Sequence, residues 1–281
     1  MLFYLHSTYL IHGAKLHKDL EVGLVEGAVF EFEYALSEMN DESSLSGGLT
    51  FFLVDSKANV KKMGYGGSGL GYVYNISNST ENKPGIVGAY LGIGFDVNGH
   101  SKSEYVTKAY QLREAISQQR YLEQGTTSYK LWNHLYDKHI TFRGGFMNDY
   151  RGFPVLYTHY YGNEVDESAP NYAQLDYKTG QYIFGKNDNA PKFDITNGGA
   201  DPNPNFQKII VEIKASEDKK STIISVKSRV NGQDLILIDH FKYDTTFKTF
   251  RQLGINTPDE ELYQYDVPIP DKVKNRFCWS D

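Results

Sequence analysis

Along this chain apolar and polar residues alternate, or cluster in short runs bounded by Gly, Asn and Ser, which is the pattern of strands. Residues 28–36, Ala-Val-Phe-Glu-Phe-Glu-Tyr-Ala-Leu, alternate with period two. They predict a half-buried strand with Phe30, Phe32 and Tyr34 inward and Glu31 and Glu33 together on the other face. Residues 49–55, Leu-Thr-Phe-Phe-Leu-Val-Asp, predict a buried strand leaving a tight turn at Gly47-Gly48. Further strands are predicted over 70–76, 88–96, 139–143, 153–161, 207–215 and 221–230. The last of these runs through Asn231-Gly232, a two-residue hairpin signal, into 234–241. A second hairpin is read at 177–182, Tyr-Lys-Thr-Gly-Gln-Tyr.

One segment breaks the pattern. Ser101-Lys-Ser-Glu104 matches a capping box, and Tyr105, Ala109, Leu112 and Ile116 recur at helical spacing. Gly125 ends that helix, and a second short amphipathic piece carries Leu131, Trp132 and Leu135. Residues 101–138 are read as a helical insertion in an otherwise all-β chain. A flap over a sheet edge is preferred to a binding lid. Its apolar stripe implies packing on a sheet or on a partner chain. No repeat or linker divides the chain, so residues 1–281 are read as one domain.

Composition narrows the partners. The net charge is −6 and no basic run occurs, which disfavours nucleic acid and anionic membranes. No stretch is apolar enough to insert in a bilayer, and the opening Met-Leu-Phe-Tyr-Leu-His lacks the basic region of a signal peptide. The single cysteine, Cys278, excludes an intrachain disulfide framework. Aromatic residues make up 14% of the chain, with 22 tyrosines, which suits both strands and sugar-facing surfaces. The sequons at Asn75 and Asn78 are read as a polar loop.

The densest signal is glycine. Gly64-Tyr-Gly-Gly-Ser-Gly-Leu-Gly-Tyr72 enters an apolar segment, and Gly88-Ala-Tyr-Leu-Gly-Ile-Gly-Phe-Asp96 follows after a polar gap. Such a loop permits close backbone approach. Together with GGLTFFLVD at 47–55, GGSGLGYVY at 66–74 and GAYLGIGFD at 88–96, this chain resembles the L-type lectin family in its bacterial form. Weaker matches follow in order at 140–145, 152–157, 207–214 and 266–274. The resemblance implies an all-β sandwich of two antiparallel sheets, a concanavalin A-like jelly roll, and a carbohydrate-binding role without enzymatic activity. A cell-surface or virion-borne adhesin, and hence an extracellular location, is the setting it implies.

Carried over by position, the resemblance implies a sugar site on three loops. The first-loop aspartate position falls on Gly47, which has no side-chain acceptor. The second loop is intact at Gly66, Gly67 and Ser68, whose amides are the expected donors. In the third loop Asp96 matches the metal-binding aspartate, the usual aromatic falls on Asn98 and the usual asparagine on His100. The position two before Asp96, often acidic, is Gly94. Calcium is therefore the one cofactor implied, with only Asp96 as a matching ligand. The family also closes with a strand after the segment matching 266–274. That strand, and an opening one, are expected to be absent or shortened here, with Phe277 and Trp279 at alternating positions able to bury one face of a short terminal strand, leaving an edge for a neighbouring chain to cover.

Other readings stay open. A structural protein-interaction module that has lost the sugar site is the alternative. A glycosidase needs paired carboxylates across a cleft, and Glu31 with Glu33 lacks a third member. His134, Asp137 and His139 straddle a predicted helix end and are read as structural. Asp194 to Asn205 is rich in oxygen donors, with Asp201, Asn203 and Asn205 alternating, but lacks the terminal glutamate of an EF-hand. It is read as a solvated loop.

Overall fold

The computed structural model describes residues 21–34, 47–61, 63–64, 69–73, 85–97, 138–146, 153–161, 171–178, 182–196, 206–230, 232–251 and 261–280. All regular elements among them are strands: β1 Glu21–Gly23, β2 Ala28–Tyr34, β3 Gly48–Asp55, β4 Ala89–Asp96, β5 His139–Gly144, β6 Val155–Tyr160, β7 Tyr172–Leu175, β8 Tyr182–Gly185, β9 Gln207–Ala215, β10 Ser221–Val230, β11 Gln233–Asp244, β12 Thr246–Arg251, β13 Glu261–Asp266 and β14 Lys272–Ser280. They form an eight-stranded sheet in the order β1-β14-β3-β4-β5-β6-β7-β8 and a four-stranded sheet in the order β11-β10-β9-β2. Every pairing is antiparallel. The pair β12–β13 stands as a third, two-stranded sheet beyond the two expected.

The two larger sheets close on one apolar core, as the sandwich expectation requires. Phe30, Phe32 and Tyr34 of β2 point inward with Ile209, Val211 and Ile213 of β9. Leu49, Phe51 and Leu53 of β3, Leu91, Ile93 and Phe95 of β4, and Ile140 and Phe142 of β5 meet them. Phe32 stacks on Phe51 at 5.8 Å between ring centroids and receives Phe277 edge-on at 4.9 Å. Period-two alternation thus gives β2 one apolar face, and that face is what holds it to the opposite sheet.

β3 is apolar at nearly every position because both of its faces are buried. Its other face, Phe52 and Val54, joins a second cluster with Tyr72, Val73, Ile86, Ala89, Phe153 and Cys278. A layer of irregular chain therefore covers the outer side of the large sheet. This layer explains a departure from the predicted strands. Residues 70–73 were expected to open a strand over 70–76, yet they form a turn. Leu70 and Gly71 have φ of 47° and 70°, values that no strand accommodates. Tyr72 and Val73 are apolar because they press onto the sheet. Residues 74–76 lie outside the described part.

The hairpin through Asn231-Gly232 forms as read: Val230 pairs with Gln233, and Gly232 has φ of 78°. The second hairpin also forms, with Leu175 paired to Tyr182. The strand expected over 153–161 starts later, at Val155, because Phe153 has φ of 63° and Pro154 follows it. The closing strand, expected to be absent or shortened, is present over nine residues. Residues 272–280 form β14, which pairs with β1 on one side and along eight residues of β3 on the other. The helical insertion of 101–138 lies outside the described residues except for Lys138, so its helices and Trp132 are not placed.

Candidate functional site

Three of the segments singled out in the sequence come together at one end of the large sheet. Gly48 of β3 pairs with Asp96 of β4, and Asp96 pairs with His139 of β5. Just beyond, the Val97 amide donates to the Gly47 carbonyl at 3.0 Å. The glycine-rich segment reaches the same place. A Cβ built on Gly48 would lie 3.1 Å from Cδ2 of Leu70 and 3.2 Å from Cα of Asp96, and it would run into the Phe95 carbonyl oxygen. Gly48 is therefore demanded by packing alone.

The rim continues around β5. The Lys138 amide donates to Val97 O at 2.7 Å, and Tyr161 N donates to Lys138 O at 2.8 Å. The Lys138 ammonium lies 3.7 Å from the Asp194 carboxylate. Asp194 also accepts from the amide and hydroxyl of Thr196 at 2.9 and 2.7 Å. Its partial burial pushes its pKa up, but the two bonds from Thr196 and the charge of Lys138 prevail and hold the carboxyl below its ordinary value. Asp194 thus closes a local turn at the start of the oxygen-rich stretch. Residues 197–205 lie outside the described part.

Of the residues assigned by resemblance, Gly47 and Asp96 are placed, and both lie on this rim. Asp96 is 1% exposed at the end of β4, so its carboxylate is built into the site's wall. Gly66, Gly67, Ser68, Asn98 and His100 lie outside the described residues. The described flank of their loops is anchored. The Gly64 amide donates to Gly71 O at 2.7 Å, and the Ile86 amide donates to Tyr72 O at 3.0 Å.

The fit to a metal ion can be tested on this wall. Among the described residues no group of three or more His, Cys, Asp or Glu side chains is gathered where it could hold one. Asp96 has Gly48 and His139 as its cross-strand neighbours, and Gly94 lies between Thr50 and Thr141. The described side chains therefore do not form a calcium cage. His139, once grouped with His134 and Asp137, is buried in β5 with its ring 5.4 Å from Tyr160.

The carboxylate pair also resolves. Glu31 and Glu33 do share the outer face of the small sheet, but Glu31 is buried, not exposed. Lys208 Nζ lies 3.3 Å from one of its oxygens and Arg229 Nη1 3.9 Å from the other. A carboxylate held between two cations is a structural ion pair rather than a proton donor to a glycosidic bond.

One buried titratable residue escaped the sequence reading. His159 on β6 lies among Tyr157, Tyr161 and Tyr172. The available signal was the period-two spacing Tyr157-x-His159-x-Tyr161, which puts all three side chains on one face.

No protein-family profile matches the chain, and no curated protein matches it in sequence. Among solved structures the chain is similar to peanut lectin with a nine-residue peptide, at 12% identity and a TM-score of 0.34, covering 94% of this chain and 74% of that one. It is also similar to the lectin UEA-II complexed with galactose, at 11% identity and a TM-score of 0.28, covering 95% of this chain and 86% of that one. The sheets themselves, and not these distant likenesses, establish the sandwich.

Proposed function

We propose that this chain is a carbohydrate-binding module that takes its ligand on the rim formed by Gly47, the loop carrying Gly66, Gly67 and Ser68, and the loop after Asp96. One observation supports the reading: chain segments far apart in sequence meet where Gly48 touches Leu70 and Asp96, and where Val97 bonds Gly47. These anchors share one end of the sheet. Sugars present dense hydroxyls and apolar C–H faces, so backbone amides on small residues are suitable donors. In this reading Asn98 and His100 supply the third loop's polar contacts. The module serves without catalysis, as part of a cell-surface or virion-borne adhesin.

The test is a glycan array, read with and without EDTA, followed by affinity measurement on the best ligand. Gly67→Val is expected to abolish binding by occluding the amides while the protein stays folded. Unchanged affinity in a folded Gly67→Val protein would remove the site assignment.

A second reading rests on Gly47. It offers no side-chain acceptor, and Gly48 beside it is explained by the Phe95 carbonyl. A chain that keeps the sandwich and uses it to hold a neighbouring protein would show no glycan binding at all.

A further inference from the structure

His159 is 1% exposed, and neither ring nitrogen makes a hydrogen bond of normal geometry. Its imidazole meets Tyr161 edge-on at 4.4 Å, lies parallel to Tyr157 at 6.3 Å and reaches Tyr172 of β7 at 6.4 Å. These tyrosines are the titratable groups facing it. Burial keeps the hydroxyls of Tyr157 and Tyr161 neutral, pushing their pKa values up. The cage is backed by Phe241 of β11 against Tyr157 and by Phe193, in the irregular chain after β8, against Tyr161.

No charged group among the described residues favours the protonated ring. Burial pushes the imidazole down to about 4, against a smaller opposing pull from the Asn171 side chain. That amide is shared with a second partner: Nδ2 donates to Asn187 O at 3.2 Å and Oδ1 accepts from Asn187 N at 2.9 Å.

The strands beside His159 are short and lie at one edge of the large sheet. β7 and β8 have four residues each, and β8 is the outer strand. Backbone bonds from Tyr160 N to Asn171 O at 2.8 Å and from Asn171 N to Gly185 O at 3.0 Å tie the three strands together. Short edge elements of this kind open locally before the domain unfolds.

We propose that the β6–β8 edge is an acid-sensitive latch, closed over a neutral His159 and opened when that imidazole takes a proton. In the closed form a cationic ring has, among the described residues, at most the Asn171 side chain to accept from its two N–H donors, whereas the open form offers water. Tyr161, at the end of the same strand, bonds Lys138 on the rim, so the opened edge is continuous with the candidate site.

The direction follows from linkage. Above pH 6.5 the ring is neutral in both forms and the latch is closed. As pH falls from 6.5 towards 4, the open form binds a proton that the closed form does not, and opening is favoured throughout that window. Below 4 both forms are protonated and the effect levels off. Between pH 7 and pH 5 the opening equilibrium shifts by roughly 20-fold.

Hydrogen exchange on the intact protein tests this, with protection factors corrected for the intrinsic pH dependence. The amides of Tyr160, Asn171 and Tyr172 are expected to lose about 20-fold in protection from pH 7 to pH 5. His159→Phe removes the titrating group and is expected to abolish that loss. If His159→Phe does not fold, His159→Gln serves, and NMR titration of the wild-type imidazole gives an independent reading, with a midpoint expected near 4. Equal protection at the two pH values, an equal loss in a folded variant, or an imidazole midpoint near 6.5 in the closed protein would overturn the proposal. None of these measurements involves a glycan, so their outcome is separate from that of the carbohydrate reading.

Discussion

The ring of Tyr72 lies directly against Gly92. A Cβ at residue 92 would come within 2.8–2.9 Å of three ring carbons, and the Tyr72 hydroxyl donates to Gly144 O at 3.0 Å. Phe153 meets the other side of the ring edge-on at 5.3 Å. The ring thus fixes the irregular layer onto β4 and β5, and it is anchored at both ends. Gly92→Ala must displace it. We expect a loss of about 1–3 kcal/mol, typical of overpacking. Urea unfolding checks this: the midpoint should fall with the slope unchanged. An unshifted midpoint would mean that Tyr72 does not rest on the sheet.

Cys278 lies beneath the same layer. A Cβ on Gly71 would overlap its sulfur, so the backbone of residue 71 serves as the lid over the thiol. Burial pushes the thiol pKa up to about 12. At pH 8 the reactive thiolate is then only about 0.01% of the population, before any barrier to access is counted. Labelling by a disulfide reagent at that pH should be negligible in the folded protein and complete on denaturation. Rapid labelling under native conditions would show that the segment over 69–73 lifts away from β14.

The strands that were legible in the sequence are those whose burial is one-sided or complete. β2 announces itself because Phe30, Phe32 and Tyr34 alternate with polar residues, and β9 to β11 because their apolar runs end at a recognisable hairpin. Residues 70–73 misled for a physical reason: apolar side chains serve any buried segment, and Tyr72 and Val73 bury themselves from a turn. Of β14 only a short terminal strand was legible, from Phe277 and Trp279 at alternating positions; Val273 alternates with Lys272 and Lys274 too, but the resemblance placed the family's closing strand after that segment. β12 and β13 went unread, although Gly254, Asn256 and Pro258-Asp259 between them are turn residues. Gly47 and Asp96 come together at one end of the large sheet, and what surrounds them is tertiary. Nothing local to Gly48 says that Leu70 will touch it, and nothing local to His159 says that Tyr172 of another strand will help to enclose it.

Removal of calcium should matter little. Asp96 is the one described residue that matches a metal ligand, Gly94 supplies no carboxylate, and Ca2+ affinity falls with the number of charged ligands. We expect EDTA to leave the melting temperature within about 2 °C, below the shift of roughly 2–4 °C that 1 kcal/mol produces in a domain of 150–250 residues. A large fall in melting temperature would show that residues beyond the described set complete a cation site at Asp96.

Phe277 provides the sharpest test of how the large sheet is closed. It is 2% exposed, pairs with Phe51 across the β14–β3 ladder and puts its ring 5.4 Å from that of Phe51 and 4.9 Å from that of Phe32. One side chain therefore joins both sheets through the core. Truncation removes this apolar volume and leaves a cavity bounded by two strands of one sheet and one of the other. Phe277→Ala should cost about 3–5 kcal/mol, and Phe277→Leu less than about 1.5 kcal/mol, because volume rather than ring identity is what the site requires. Lys272, exposed at the start of the same strand, is the control, and Lys272→Ala should fall within about 0.5 kcal/mol of wild type. Equilibrium denaturation of the three variants decides the matter. If Phe277→Ala loses no more than Lys272→Ala, then β14 does not sit between β1 and β3, and the large sheet would have to be closed by some other strand.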